Sequence, residues 1–328
     1  MRSLAILLAL AGTAAAEEHL LRIGTIAPEG TGWAHEFRGM SDDISMHSKG
    51  GVRIKWYMGG IAGDELEMLD RVRRGQLDGI LSAGVACETT APSLLVARIP
   101  GMFQTWAETS YVLGRLRPQF AVEAQKNGFL FLAEAVVGPS IVFSRRPVAT
   151  LADLRSTRLW VWDLDKTLST FLPAMGIKAV PLPIRDAARA YEDGRIDGFI
   201  SPAAAALGFQ WSAASRHYTD LRMGFVVGCL LIANRAFDAM PLDLQQAIRV
   251  GAARAKIKLE EVGRAQDTQL VNGLFAKQGL KKVPADDGAR VTFLEAARTV
   301  RERSWTLVSP ALVTRVLGML ADYRSEHH

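Results

Sequence analysis

The sequence has little of what marks an enzyme or a membrane span. Its 328 residues contain two cysteines and six histidines. His19, His35, His47 and His217 show no metal-ligand spacing. Only His327 and His328 adjoin, at a chain end where built sites are uncommon. No Gly-x-Ser-x-Gly elbow occurs and no carboxylate pair stands out as an acid and base couple, so nothing points to catalysis. Cys87 and Cys229 form no CxxC motif and lie in apolar surroundings. An oxidising compartment would let them pair, but we expect them buried and unpaired. The net charge of +5 is spread along the chain, with no Lys/Arg block interleaved with aromatics, which argues against nucleic acid as a partner. No segment offers the roughly eighteen uninterrupted apolar residues of a spanning helix, so the mature chain is expected to be soluble.

What is present begins with a secretory signal. Met1-Arg2-Ser3 gives the charged start, Leu4 to Ala11 a short apolar run, and Ala14-Ala15-Ala16 a small-residue site, so we expect cleavage after Ala16 and a periplasmic location. The length exceeds the usual single-core range of about 100 to 200 residues, which favours two domains.

An internal repeat organises them. Arg74-Gly75-Gln76-Leu77-Asp78-Gly79-Ile80-Leu81-Ser82 matches Asp193-Gly194-Arg195-Ile196-Asp197-Gly198-Phe199-Ile200-Ser201. Each follows a helix-like segment (Glu65 to Arg73, Arg185 to Glu192), which itself follows a β-rich run (Val52 to Tyr57, Ile177 to Pro181). The pattern predicts two strand, helix, strand units in which Gly75 and Gly194 end the helices in left-handed turns and buried parallel strands follow. Asp78 and Asp197 are expected to hydrogen-bond within those turns.

Elsewhere, strand Leu20 to Thr25 leads through the loop Ala27 to Gly32 into a helix from Trp33 to Ser48, with Thr31 as N-cap. That loop lacks the Lys-Ser/Thr ending of a phosphate cradle, so no nucleotide cofactor is expected. Phe129 to Glu134 and Val136 to Ser144 read as two strands, the second passing between lobes. Thr150 to Leu154 reads as a short capped helix before strand Arg158 to Trp162. Pro241 opens a long amphipathic helix toward Ala276, Gly279 breaks it, and two helices end near Tyr323.

Several segments, in order, resemble one family. They are Gly59-Gly60-Ile61-Ala62-Gly63-Asp64-Glu65-Leu66-Glu67-Met68-Leu69, Ile99-Pro100-Gly101-Met102-Phe103, Ser144-Arg145-Arg146-Pro147 with Leu151-Ala152-Asp153-Leu154, and the two Gly-x-(Leu/Ile)-Asp-Gly turns. The chain resembles the solute-binding subunits of tripartite ATP-independent periplasmic (TRAP) transporters, of the dicarboxylate-receptor, DctP-like type. The resemblance implies a bilobed α/β periplasmic solute-binding fold, with crossing strands and a long C-terminal spine helix. Ligand would lie between closing lobes, and integral-membrane permease subunits would be partners. Residues 1–16 would be the signal, 17–137 the first lobe, 138–224 the second, and 225–328 a crossover strand with bracing helices.

Family members mostly hold an acid through an arginine in a Lys-Leu-Arg-Val strand, whose planar fork matches a carboxylate. The matching run here is Arg158-Leu159-Trp160-Val161, with Trp160 at the arginine's place. Further family positions fall at Ser140, Ala83, Phe199 and Ser201, all uncharged. Burying a carboxylate without a cation costs several kcal/mol, so a neutral or hydrophobic ligand is expected. Trp160, Phe199, Ile184, Trp162, Phe209 and Trp211 are candidates for an apolar cleft, the last three equally for core. Arg158 or Arg185 could hold an anion instead, and Arg145-Arg146 reads as a solvated turn. An exported enzyme, or the receptor of an ATP-driven importer or sensor kinase, remains the alternative function. The helices near Trp305 and Leu317 could support a homodimer or an accessory protein.

Overall fold

The computed structural model describes residues 18–285, 287–303 and 307–327. The expected signal and its cleavage site, Trp305 and His328 lie outside the described residues.

The first lobe runs β1 (His19–Gly24), α1 (Gly32–His47), β2 (Val52–Tyr57), α2 (Glu65–Arg73), β3 (Gly79–Ser82), α3 (Val85–Thr90), a 3-10 helix (Pro92–Arg98) and α4 (Trp106–Lys126). β4 (Phe129–Ser144) leads to α5 (Leu151–Ser156), β5 (Arg158–Trp162), α6 (Lys166–Ala174), β6 (Lys178–Leu182), α7 (Ile184–Glu192), β7 (Gly198–Pro202), α8 (Ala203–Gly208), α9 (Trp211–Ala214) and β8 (His217–Thr219). β9 (Phe225–Ala233) returns, followed by α10 (Asn234–Asp238), α11 (Leu242–Gln269), α12 (Phe275–Lys277), β10 (Lys281–Val283), α13 (Asp287–Arg303) and α14 (Pro310–Glu326).

Side-chain caps set several starts. Thr31 accepts from Ala34 N, and both Asp64 with Glu67 and Thr150 with Asp153 close reciprocal capping boxes. The long helix from Pro241 reaches Lys277 only through a π-helical turn, Leu270–Leu274, and Gly279 at φ +92° follows it.

The strands lie in the order β2-β1-β3-β9-β4-β7-β5-β6. β1 pairs in parallel with β2 and β3, as β5 does with β6 and β7. β3 then meets β9 antiparallel, and β7 meets β4 antiparallel. The sequence repeat is therefore a repeat of sheet topology. Gly75 at φ +77° and Gly194 at φ +70° take the expected left-handed turns. The aspartates depart from expectation. Asp78 accepts a bidentate bond from Arg22, whose guanidinium also reaches Gly75 O, and Asp197 does the same with Arg158 and Gly194 O. Each ties the turn to the neighbouring strand rather than to itself.

β4 is another correction: the two expected strands are one strand of 16 residues. Phe129 to Pro139 pairs with β9, and Ser140 to Ser144 with β7. A register shift between Val136 and Gly138, with Gly138 at φ +153°, interrupts the alternation that a single strand would show. α11 packs on α1, β4 and α8, spanning elements of both lobes.

Cys87 and Cys229 are disulfide-bonded, with Cα atoms 5.8 Å apart, which corrects the expectation of free thiols. Sequence spacing carries no sign of this, because the approach depends on α3 packing against β9. Nor is Arg145 simply solvated: its guanidinium lies 4.1 Å from the Tyr191 ring centroid, while Arg146 is exposed.

Candidate ligand-binding site

A cavity of about 160 Å³ is walled by both lobes and by α11. The register of β5 beside β6 and β7 brings Trp160 to it. Trp160 is 4% exposed and its indole N–H donates to Leu182 O at 2.9 Å, so the polar edge is satisfied while the ring faces the cavity. Trp162, two residues on, lines the same space. Trp211 meets Trp160 edge to face at 4.8 Å, and Phe209 stacks on Trp211 at 4.7 Å. The structure brings Phe209, Trp211, Ile184 and Ala83 to the lining. Ser140 and Ser201 lie there too, Ser201 Oγ donating to Pro202 O.

Phe199 does not join them. It stacks on Phe143 at 4.9 Å and meets Tyr191 and Trp211 edge-on, so it backs the aromatic wall without facing the cavity. Arg158 and Arg185 are also outside the lining. Arg158 is held on Asp197, and Arg185 is exposed on α7. The expectation that either could reach the cleft is corrected by these positions.

Six aromatic or charged lining residues escaped sequence reading. Trp33 and Phe37, one turn apart on α1, supply the first lobe's aromatic face. Arg98 pairs with Asp165, and with Glu88 at 3.3 Å, and both Arg98 and Asp165 line the cavity. Glu134 on β4 is bonded by Lys256 of α11 and by Arg117 of α4 at 2.9 Å. Glu134 and Lys256 line the cavity as well. The spacing Ala252, Ala255, Lys256, Leu259 was a readable signal, since it places one cation on a small-residue helix face.

Burial pushes the Glu88 carboxyl up to about 8, with Asp165 and Glu65 adding to the effect of burial and Arg98 opposing it. Burial also raises Glu65, although Ser82 Oγ at 2.5 Å and the Ala86 amide at 2.8 Å donate to it. Glu65 thereby caps α3, whose own N-cap is Gly84, and fixes the loop bearing Ala83.

The family profile of bacterial extracellular solute-binding protein, family 7 (DctP), matches residues 23–306. The chain belongs to this family. Family 7 is a family of solute-binding receptors rather than of enzymes. The 2,3-diketo-L-gulonate-binding periplasmic protein YiaO of Escherichia coli K12 is 22% identical over 240 residues, covering 71% of this chain and 72% of YiaO. The fold is that of a TRAP periplasmic solute-binding protein from Xanthobacter autotrophicus Py2 with bound β-D-galacturonate. The TM-score is 0.83 at 21% identity, over 92% of this chain and 99% of the other. The sugar acid binding protein DctPAm of Advenella mimigardefordensis, in complex with galactonate, gives 0.86 at 17% identity over 93% and 99%. Both share the bilobed α/β architecture that this family 7 protein shows.

Proposed function

We propose that this chain is the extracytoplasmic receptor of a TRAP transporter. It would be exported with cleavage after Ala16 and deliver its solute to integral-membrane permease subunits. Residues 17–137 and 138–224 would close on the ligand, braced by 225–328. The ligand is a small molecule with a mainly apolar body, held by Trp160 and its aromatic neighbours rather than by a guanidinium clamp. The observation carrying this reading is that Trp160 walls the cavity, and the sequence resemblance, which sets Trp160 where the family's arginine would stand, supports it. A buried aromatic contact contributes about 1.5 to 3 kcal/mol from area alone.

A second reading, an organic acid, draws support from the galacturonate and galactonate complexes of similar folds. Its counter-ion would be Arg98 or Lys256, the two cations of the described lining. Mass spectrometry of a denatured extract of the purified protein, followed by calorimetry, tests the choice. Retention of a compound with an apolar body, bound less tightly by Trp160→Ala, is expected. Tight binding of simple dicarboxylates that ignores Trp160→Ala would overturn the first reading. Contact of α14 around Leu317 with a second copy or an accessory protein is a separate part of the reading, read out by light scattering across a concentration series.

A further inference from the structure

We infer that Lys256 is the counter-ion for a single ligand carboxylate, so that the solute is a monocarboxylate whose apolar body is about one ring in size. This rests on the receptor reading above and narrows its ligand class.

The two charged corners of the cavity differ in balance. Arg98 is the cation of buried Asp165 and also bonds Glu88, whose carboxyl burial keeps protonated up to about pH 8, and its side chain is 9% exposed. Diverting it to a ligand would leave the buried Asp165 carboxylate without its cation, at a cost of several kcal/mol. Glu134 is the reverse case, one fully buried carboxylate holding two cations. Arg117 approaches it from α4, outside the lining, and also donates to Leu132 O. Lys256 can therefore turn to a ligand while Glu134 stays paired.

Lys256 is also the more accessible of the two lining cations, with a side chain 24% exposed. Its helix face is otherwise Ala252, Ala255 and Leu259, which leaves room beside the ammonium. Glu260, one turn further, interacts with both Lys256 and Arg264, so it does not claim Lys256 alone. An ammonium is a compact point charge that needs no bidentate geometry, unlike the family's arginine.

The rest of the lining limits the ligand to one charge. Arg98, the other cation of the described lining, is held by Asp165, and the Ser82 and Ser201 hydroxyls are spent on Glu65 and Pro202 O, so no second free cation meets a second carboxylate there. A volume of about 160 Å³ is close to the roughly 150 Å³ of a cavity that holds benzene. Trp33, Phe37, Trp160 and Trp211 surround that space.

Calorimetry on the full mature chain with benzoate, phenylacetate and cyclohexanecarboxylate, each against its amide, tests the inference in wild type, Lys256→Met and Lys256→Arg. At least one acid should bind, with its amide about tenfold or more weaker. Lys256→Met should weaken the acid roughly 10- to 100-fold, as for loss of a charged hydrogen bond, and Lys256→Arg should retain it. Equal binding of acid and amide, an unchanged acid affinity in Lys256→Met, or failure of every monocarboxylate to bind would each overturn it. Should Lys256→Met fail to fold, the acid and amide comparison in wild type decides alone. Equal binding of acid and amide, both weakened by Trp160→Ala, would remove Lys256 and leave the apolar receptor standing. Tight succinate or galactonate binding indifferent to Trp160→Ala would remove the apolar receptor itself.

Discussion

Arg158 closes on Asp197 through two parallel bonds of 2.7 and 2.8 Å, at the position where Arg22 closes on Asp78 in the other half of the sheet. Arg158, a possible ligand group by sequence, is thus the counterpart of Arg22 in one repeated turn. Arg158→Ala should leave ligand affinity unchanged and lower the thermal midpoint slightly, since the pair is largely exposed. The Arg158 hydrogen bonds hold the Asp197 carboxyl below its ordinary range, despite some burial, so this pair stabilises the fold above the usual carboxylate pKa. That contribution is lost as pH falls through the depressed value, and Arg158→Ala should reduce the acid sensitivity. A tenfold loss of affinity in Arg158→Ala would return this arginine to the site.

Trp160 offers a test by replacement with the arginine that the sequence resemblance implies for this position. Trp160→Arg introduces a guanidinium beside Trp162 and Trp211, and selectivity measured by calorimetry should move from apolar monocarboxylates toward sugar acids or dicarboxylates. Trp160→Ala should weaken the native ligand about tenfold or more, in keeping with loss of roughly 1.5 to 3 kcal/mol of contact. Unaltered selectivity in the arginine variant would mean that this position does not govern ligand class.

The Cys87–Cys229 bond joins α3 to β9, and Cys229 borders the cavity. A cross-link closing a loop of 142 residues should stabilise the chain by about 2 to 4 kcal/mol. Urea unfolding of the Cys87→Ser, Cys229→Ser double variant should show that loss, and reduced wild type should match it. Coincident transitions with and without reductant would show that the bond contributes nothing to stability.

Glu88 gives a pH dependence of opposite sign to Asp197. Its folded pKa of about 8 exceeds the unfolded value of 4.5, so the folded state holds the proton more tightly. Stability from this group is greatest below about pH 4.5 and declines as pH rises toward 8. The facing charges are Arg98, Asp165 and Glu65, and burial of Glu65 adds a decline of the same sign. Glu88→Gln should flatten the thermal midpoint between pH 5 and pH 8, with its largest gain over wild type at the alkaline end. A wild-type midpoint that rises across this window, with no flattening in the variant, would contradict the assignment.

Local chemistry alone determined much of this protein. Caps at Thr31, Asp64 and Thr150, left-handed glycines at 75 and 194, and the spacing around Asp78 and Asp197 act over a few residues, so the elements and the two-lobed repeat were legible in the sequence. Trp160 could also be named there as a cleft candidate, from the resemblance of its strand to a Lys-Leu-Arg-Val run, and it lines the cavity. Tertiary structure alone decided which side chains share the cavity. Trp160 and Phe199 are register partners on adjacent strands, yet Trp211 and Phe143 cover Phe199 and leave Trp160 facing the space. The disulfide, the Arg98 and Asp165 pair, and the surplus cation at Glu134 each join residues more than sixty positions apart. Such contacts depend on how helices pack against the sheet, and chain spacing holds no record of that.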